Sequence, residues 1–192
     1  MKGSDIMSDI SRYMNKQLTS LIKQKETSIG KARMARLRRG AGRTPGELPE
    51  LWGEFLNGMP EQFLSINGEP SYAEWAIYLS LTMFALHQQG KTDSAHSEGI
   101  SLGIAAARLM ENDTDEERER VLRRFGPVVT AKDMPELSHH LRCLIQLFRS
   151  KNICLDYERL ADEIYRFQFS DKRKKVQLSW GQDFYYKKGE DE

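Results

Sequence analysis

The sequence lacks the motifs by which most enzymes and metal sites are recognised. It has only two cysteines, Cys143 and Cys154, and no Cys-x-x-Cys pair, so neither a disulfide framework nor a structural zinc site is indicated. It also has no His-Glu-x-x-His motif and no glycine-rich phosphate loop after a strand. We therefore expect no catalytic residues, no cofactor and no metal. Cys143 falls on an apolar helical pattern and is expected to be an inert core thiol.

Long hydrophobic runs are also missing. The most apolar stretch, Trp75 to Leu86, is interrupted by hydroxyl-bearing residues and is shorter than the roughly 20 residues that a bilayer-spanning helix needs. Residues 1–9 have no apolar segment, so no signal peptide is expected. We expect a cytoplasmic protein with reduced cysteines and no membrane partner.

Charge of one sign is not in excess, because 29 basic residues balance 28 acidic ones. Attraction to nucleic acid must then come from local clustering. Such a cluster exists between Glu26 and Glu47, where there is no acid. A polyanion would relieve the repulsion within this cluster, and the planar fork of arginine suits phosphate. The alternative is a solvated face, compensated by acids elsewhere such as Glu111–Glu119. The cations of this basic run are Lys31, Arg33, Arg36, Arg38, Arg39 and Arg43.

The pattern of apolar residues predicts an all-α protein, because no alternating run is flanked by hairpin turns. One helix stands out, since Ser71 and Glu74 form a capping box before a segment that is apolar on every side and therefore buried. Gly30 and Gly126-Pro127 are expected to end or bend the helices that contain them. The predicted helices of the first part of the chain are Asp5–Thr27, Lys31–Arg39, Leu48–Asn57, Tyr72–Gln89 and Ile100–Met110.

The stretch from Glu136 to Tyr186 combines apolar stripes with cations. Arg142 and Arg149 are seven residues apart and so lie on one helix face. Lys172–Lys175 lie beside aromatic residues, which could stack on unpaired bases. The alternative, which we favour for the rings of Trp180 and Phe184, is that they belong to the core.

Four short elements, in their order and spacing, resemble the CasB family, the small subunit of the type I-E CRISPR Cascade complex. The resemblance covers most of the chain, from about Lys16 to Tyr186. Gly126-Pro127 departs from it, because the family usually continues helically there. The four elements are Ala35–Arg39, Gly99–Leu109, His140–Ala161 and Trp180–Tyr185.

The resemblance implies two small helical bundles, which we place at residues 1–112 and 113–192, and no enzymatic activity. It implies two copies per complex, contacts with the backbone and large subunits, and contacts with crRNA and target DNA, including the displaced strand of the R-loop. A helical adaptor that binds only proteins is the alternative. The resemblance assigns nucleic-acid binding to Arg36, Arg38, Arg39, Arg108, Arg142, Lys172 and Arg173. The basic residues nearby add Arg33, Arg43, Arg123 and Arg149.

Overall fold

The computed structural model describes residues 3–186, with side chains from Asp9 to Tyr186. Within this range the chain forms nine α-helices, two short 3-10 helices (Pro49–Leu51 and Glu61–Phe63) and no strand, so the all-α prediction is confirmed. No helix in this range is both long and apolar enough to cross a membrane. The helices are α1 Gly3–Gln24, α2 Ser28–Gly40, α3 Trp52–Phe55, α4 Tyr72–His87, α5 Leu102–Ala107, α6 Asp115–Val129, α7 Met134–Ser150, α8 Tyr157–Phe167 and α9 Ser170–Tyr186.

Helix α4 is the centre of the fold. Its residues from Ala73 to His87 are all buried, as its apolar composition predicts. The predicted capping box is present: the Ser71 hydroxyl accepts a hydrogen bond from the Glu74 N–H at 3.0 Å, and the Glu74 carboxylate accepts one from the Ser71 N–H at 2.7 Å. Helices α2, α7 and α8 pack around α4, so it has no face left for solvent.

One hydrophobic cluster joins helices from both sides of the proposed boundary at residue 112. Helix α8 packs against α1 and α4, and α5 packs against α9. The α5–α9 contact depends on Gly103, because a Cβ atom at this position would lie 2.2 Å from the carbonyl oxygen of Trp180. Val176, Trp180 and Phe184 of α9 are buried, which confirms that these residues belong to the core. The division into residues 1–112 and 113–192 stays a prediction.

The break between the first two helices is not where the sequence predicts it. Helix α1 ends at Gln24, and α2 begins at Ser28 with Thr27 as its cap, whose hydroxyl accepts from the Gly30 N–H at 3.0 Å. Gly30 lies inside α2, where a Cβ atom would be 1.8 Å from the Gln24 carbonyl oxygen. The glycine thus permits close approach of two helices and does not stop one.

Gly126-Pro127 does not end α6, so the prediction that the helix ends there is wrong. The helix continues to Val129, and the N–H and hydroxyl of Thr130 both donate to the Gly126 carbonyl, at 2.9 and 3.0 Å. Because Pro127 lies in the last turn, it removes only one intrahelical hydrogen bond, close to a helix end.

Three further predictions need correction. The predicted helix at Leu48–Asn57 is a 3-10 turn followed by the four-residue α3, and the helix predicted at Ile100–Met110 is limited to α5. Cys143 is exposed and does not belong to the core. The Cys143 side chain points outward from α7, although the buried side chains of Leu141 and Leu144 on the same helix point inward.

Candidate nucleic-acid interface

Two of the predicted arginines of α2 are held by a buried carboxylate. Glu54 of α3 is only 7% exposed. Its Oε2 accepts from Arg33 Nε at 2.9 Å, and its Oε1 accepts from Arg36 Nε at 2.8 Å. The Arg33 guanidinium also donates to the Ser20 hydroxyl at 3.1 Å. Arg33 and Arg36 therefore tie α2 to α3 and α1.

Three other predicted arginines are exposed and lie near one carboxylate each. The distance from guanidinium nitrogen to carboxylate oxygen is 3.6 Å for Arg39 and Glu50, 3.2 Å for Arg43 and Glu47, and 4.0 Å for Arg123 and Glu119. Ion pairs of this kind are weak, because water screens them. Their cations are partly compensated within the chain.

The predicted cations of α9 are engaged by aromatic rings and carbonyl groups. Arg173 donates to the carbonyl oxygens of Phe167 at 2.9 Å and Lys132 at 3.1 Å. Its guanidinium lies 4.8 Å from the centre of the Phe167 ring. The Lys172 ammonium lies 4.6 Å from the centre of the Phe169 ring. These contacts hold the start of α9 against α8.

Three cations from different elements converge beside the carboxyl end of α4. They are Arg38 of α2, Lys91 of the loop after α4, and Arg149 of α7. Burial lowers the pKa of Arg38, and the charge of Arg149 lowers it further. Burial also lowers the pKa of Lys91; of the nearby groups, Cys154 raises it and Arg149 lowers it. Arg149 thus lies close enough to Arg38 and to Lys91 to repel both of them.

Buried His87 lies beneath these cations. Burial lowers its pKa to about 3, with Lys91 and Arg149 contributing through their charges. The Lys91 ammonium is 3.5 Å from His87 Nε2, and the Tyr157 hydroxyl is 3.0 Å from His87 Nδ1. The imidazole is therefore neutral at physiological pH and adds no charge to the cluster.

Arg142 extends the cluster along α7. It is exposed and lies two turns before Arg149 on the same face, about 10 Å away along the helix axis. Its Nη1 lies 3.3 Å from the position that a Cβ atom of Gly42 would occupy, so the side chain runs beside the loop after α2. We call Arg38, Lys91, Arg142 and Arg149 the α2–α7 basic surface.

No carboxylate between Asp9 and Tyr186 lies within 4.0 Å of any cation of the α2–α7 basic surface. The one side-chain hydrogen bond of Arg149 in this range goes to the neutral amide of Gln89, at 2.9 Å. A groove of about 210 Å³ adjoins Arg38 and Lys91, and Lys25 and Lys31 also line it. Glu26 is the acidic residue of its lining, 3.6 Å from Lys31. The surface and groove are thus strongly cationic.

The sequence matches the model of the family described as CRISPR-associated protein Cse2 over residues 33–185. The chain belongs to this family. The fold is similar to that of the crystal structure of CasB from Thermobifida fusca, with a TM-score of 0.76 and 28% sequence identity, covering 91% of this chain and 97% of that one. No curated protein matches the sequence. The CasB family that the four short elements indicate is confirmed.

In this Cse2-family chain, three of the eleven predicted arginines and lysines meet on one surface: Arg38, Arg142 and Arg149. Arg108 lies elsewhere, partly buried at the carboxyl end of α5. Lys91 was not among the predicted residues. A lysine just after a helix is ordinary, because it interacts favourably with the helix dipole, so the sequence contains no signal that separates Lys91 from other surface lysines.

Proposed function

We propose that this Cse2-family chain is a non-enzymatic small subunit of a CRISPR Cascade complex in the cytoplasm, and that it binds the sugar–phosphate backbone of crRNA or target DNA through the α2–α7 basic surface. It acts there beside the backbone and large subunits and a second copy of itself. By holding the target and displaced strands apart, it stabilises the R-loop. The family membership supports the assembly, and the four convergent cations support the strand contact.

The proposed strand contact rests on four cations that have no compensating carboxylate beside them among residues 9–186. Four cations converge from α2, the loop after α4, and α7, and none has a carboxylate within 4.0 Å in residues 9–186. The repulsion of Arg38 and Lys91 by Arg149 costs free energy that an isolated fold does not require. Phosphate groups would offset this cost and release counterions on binding.

Backbone contacts are sufficient for this role. In an RNA-guided complex, base pairing between guide and target reads the sequence, while the protein recognises the shape and charge of the strands. Arginine and lysine side chains bind phosphate regardless of the base. A nearly neutral chain that concentrates uncompensated cations on the α2–α7 basic surface can then contact protein neighbours elsewhere.

The test is a triple variant, Arg38→Gln with Arg142→Gln and Arg149→Gln, in the assembled complex. We expect single-strand affinity to fall about 10- to 100-fold at constant salt, because up to three charge-assisted phosphate contacts are lost. The slope of log affinity against log salt concentration should become shallower by about 2, at roughly 0.7 per contact. Fluorescence anisotropy with labelled DNA and RNA strands measures both.

The matched control is Arg39→Gln with Arg43→Gln and Arg123→Gln, which removes the same charge from arginines that lie near carboxylates. We expect a loss of less than about threefold, because these cations are already partly compensated. Equal losses in the two triple variants would mean that only net charge matters. Unchanged affinity in the test variant would favour the protein adaptor instead.

A further inference from the structure

A second cavity, of about 250 Å³, lies between α6 and α7, away from the α2–α7 basic surface. Its apolar lining consists of Leu109, Val121 and Leu147. Leu109 and Val121 are almost fully buried, whereas 36% of Leu147 is exposed. Covering an exposed leucine with another apolar group is favourable, because it removes apolar surface from water.

The rim of this cavity is cationic. Arg120, Arg124 and Lys151 line it. The nearest carboxylates of the described residues belong to Glu117, 3.7 Å from Arg120, and Glu111, 2.7 Å from Lys151. Arg124 is exposed, and no carboxylate in the described part of the chain lies within 4.0 Å of it. The rim therefore has an uncompensated positive charge directly above an apolar floor.

We propose that this α6–α7 pocket binds an acidic segment of a partner protein, which inserts one aliphatic side chain between flanking carboxylates. The charge of the rim selects an acidic partner. The floor selects an aliphatic group, because none of the described residues that line it has an aromatic ring on which a nucleobase would stack. A flexible acidic segment with a leucine anchor satisfies both parts of the pocket.

The position of the pocket on α7 allows it to act together with the basic surface. Leu147 comes five residues after Arg142 and two before Arg149. At about 100° per residue, its side chain points roughly 140° to 160° away from theirs. One face of α7 is thus free to contact a strand while the opposite face holds a protein neighbour.

The test measures binding of a dye-labelled peptide, GEEDLLDEEG, to the full chain by fluorescence anisotropy. We expect saturable binding that weakens at least fivefold when both leucines of the peptide are replaced by serine. Arg124→Glu should weaken binding about tenfold, because it reverses the unpaired charge of the rim. Leu147→Ser should also weaken it. The matched control is Arg123→Glu, on the same helix but outside the pocket, which should leave affinity unchanged.

Other occupants give different results. Equal binding of the leucine and serine peptides, or equal losses in Arg123→Glu and Arg124→Glu, would overturn the pocket as a specific site. Binding of a labelled (dT)12 strand that is lost in Arg124→Glu would assign the pocket to nucleic acid. Tighter peptide binding after removal of residues 189–192 would assign it to the chain's own acidic end. Absence of saturable peptide binding would also overturn the proposal.

Discussion

Three of the four arginines of α2 fall into two groups that differ in what faces them. Arg33 and Arg36 face the buried carboxylate of Glu54, which they share. Arg38 is turned about 140° or more from both and faces Arg149, another cation. One dense basic run therefore serves two purposes, and the density of charge does not distinguish them. The position of the nearest carboxylate distinguishes the two purposes.

The same contrast explains why the sequence alone leaves two interpretations of the basic run open: phosphate binding, and a solvated face compensated by acids. The acids that compensate it are not those of Glu111–Glu119 but Glu26 just before the run and three acids just after it, of which Glu54 is buried. A buried ion pair stabilises the fold only while both partners are present. The two groups should therefore respond to substitution in different ways: one through stability and the other through binding.

The largest expected effect comes from Glu54→Gln. This change leaves Arg33 and Arg36 without their common carboxylate in a partly buried site. We expect the free energy of unfolding to fall by about 2 to 3 kcal/mol, because hydrogen bonds to charged groups are lost and two cations lose their partner. Urea unfolding, followed by circular dichroism, measures the loss. Strand affinity of the assembled complex should not change.

Its control is Glu50→Gln, which removes an exposed carboxylate 3.6 Å from Arg39. Because exposed ion pairs contribute little, we expect a change of less than about 1 kcal/mol. A clear gain in strand affinity after Glu54→Gln would erase the distinction between the two groups, since it would show that the released arginines can also bind phosphate.

The central helix and the basic surface differ in how far the sequence predicts them. Helix α4 is specified locally by the capping box at Ser71 and by continuous apolar residues, so its extent and burial are predictable. The approach of Arg38 to Arg149 depends on how α2 and α7 pack around α4, and no local pattern encodes that. The sequence indicates Arg38, Arg142 and Arg149 as basic candidates but not that they meet.

The second effect in size concerns pH and His87. Its pKa in the folded protein is about 3, below the ordinary value of about 6.5 expected when unfolded. Below pH 6.5 the unfolded chain therefore binds a proton that the folded chain does not. The stability contributed by neutral His87 is complete above pH 6.5 and falls by about 1.4 kcal/mol per pH unit below it, a loss of about 2 kcal/mol at pH 5.

Urea unfolding at pH 7, 6 and 5 measures this slope, and His87→Gln should make it shallower. The pKa of His87 also reports on the charge of the α2–α7 basic surface, because Lys91 and Arg149 repel the protonated imidazole. A bound strand would neutralise them and should raise the pKa of His87, which NMR can follow. A midpoint above pH 5 in the free protein would contradict the burial of His87 beneath these cations.

The smallest effect is expected from Gly42→Ala, which tests whether Arg142 belongs to the surface. Gly42 has a φ of 88°, a left-handed conformation that costs other residues about 1 kcal/mol. The added Cβ would lie 3.3 Å from Arg142 Nη1, so the guanidinium must shift. We expect about 1 kcal/mol lower stability and about twofold weaker strand binding, because one phosphate contact is displaced.

The control is Gly46→Ala, at a φ of 89° with no described atom within 4 Å of the added Cβ. It should lose similar stability and no affinity. If the two variants bind strands equally, Arg142 is not part of the interface, and the surface is limited to the cations around His87.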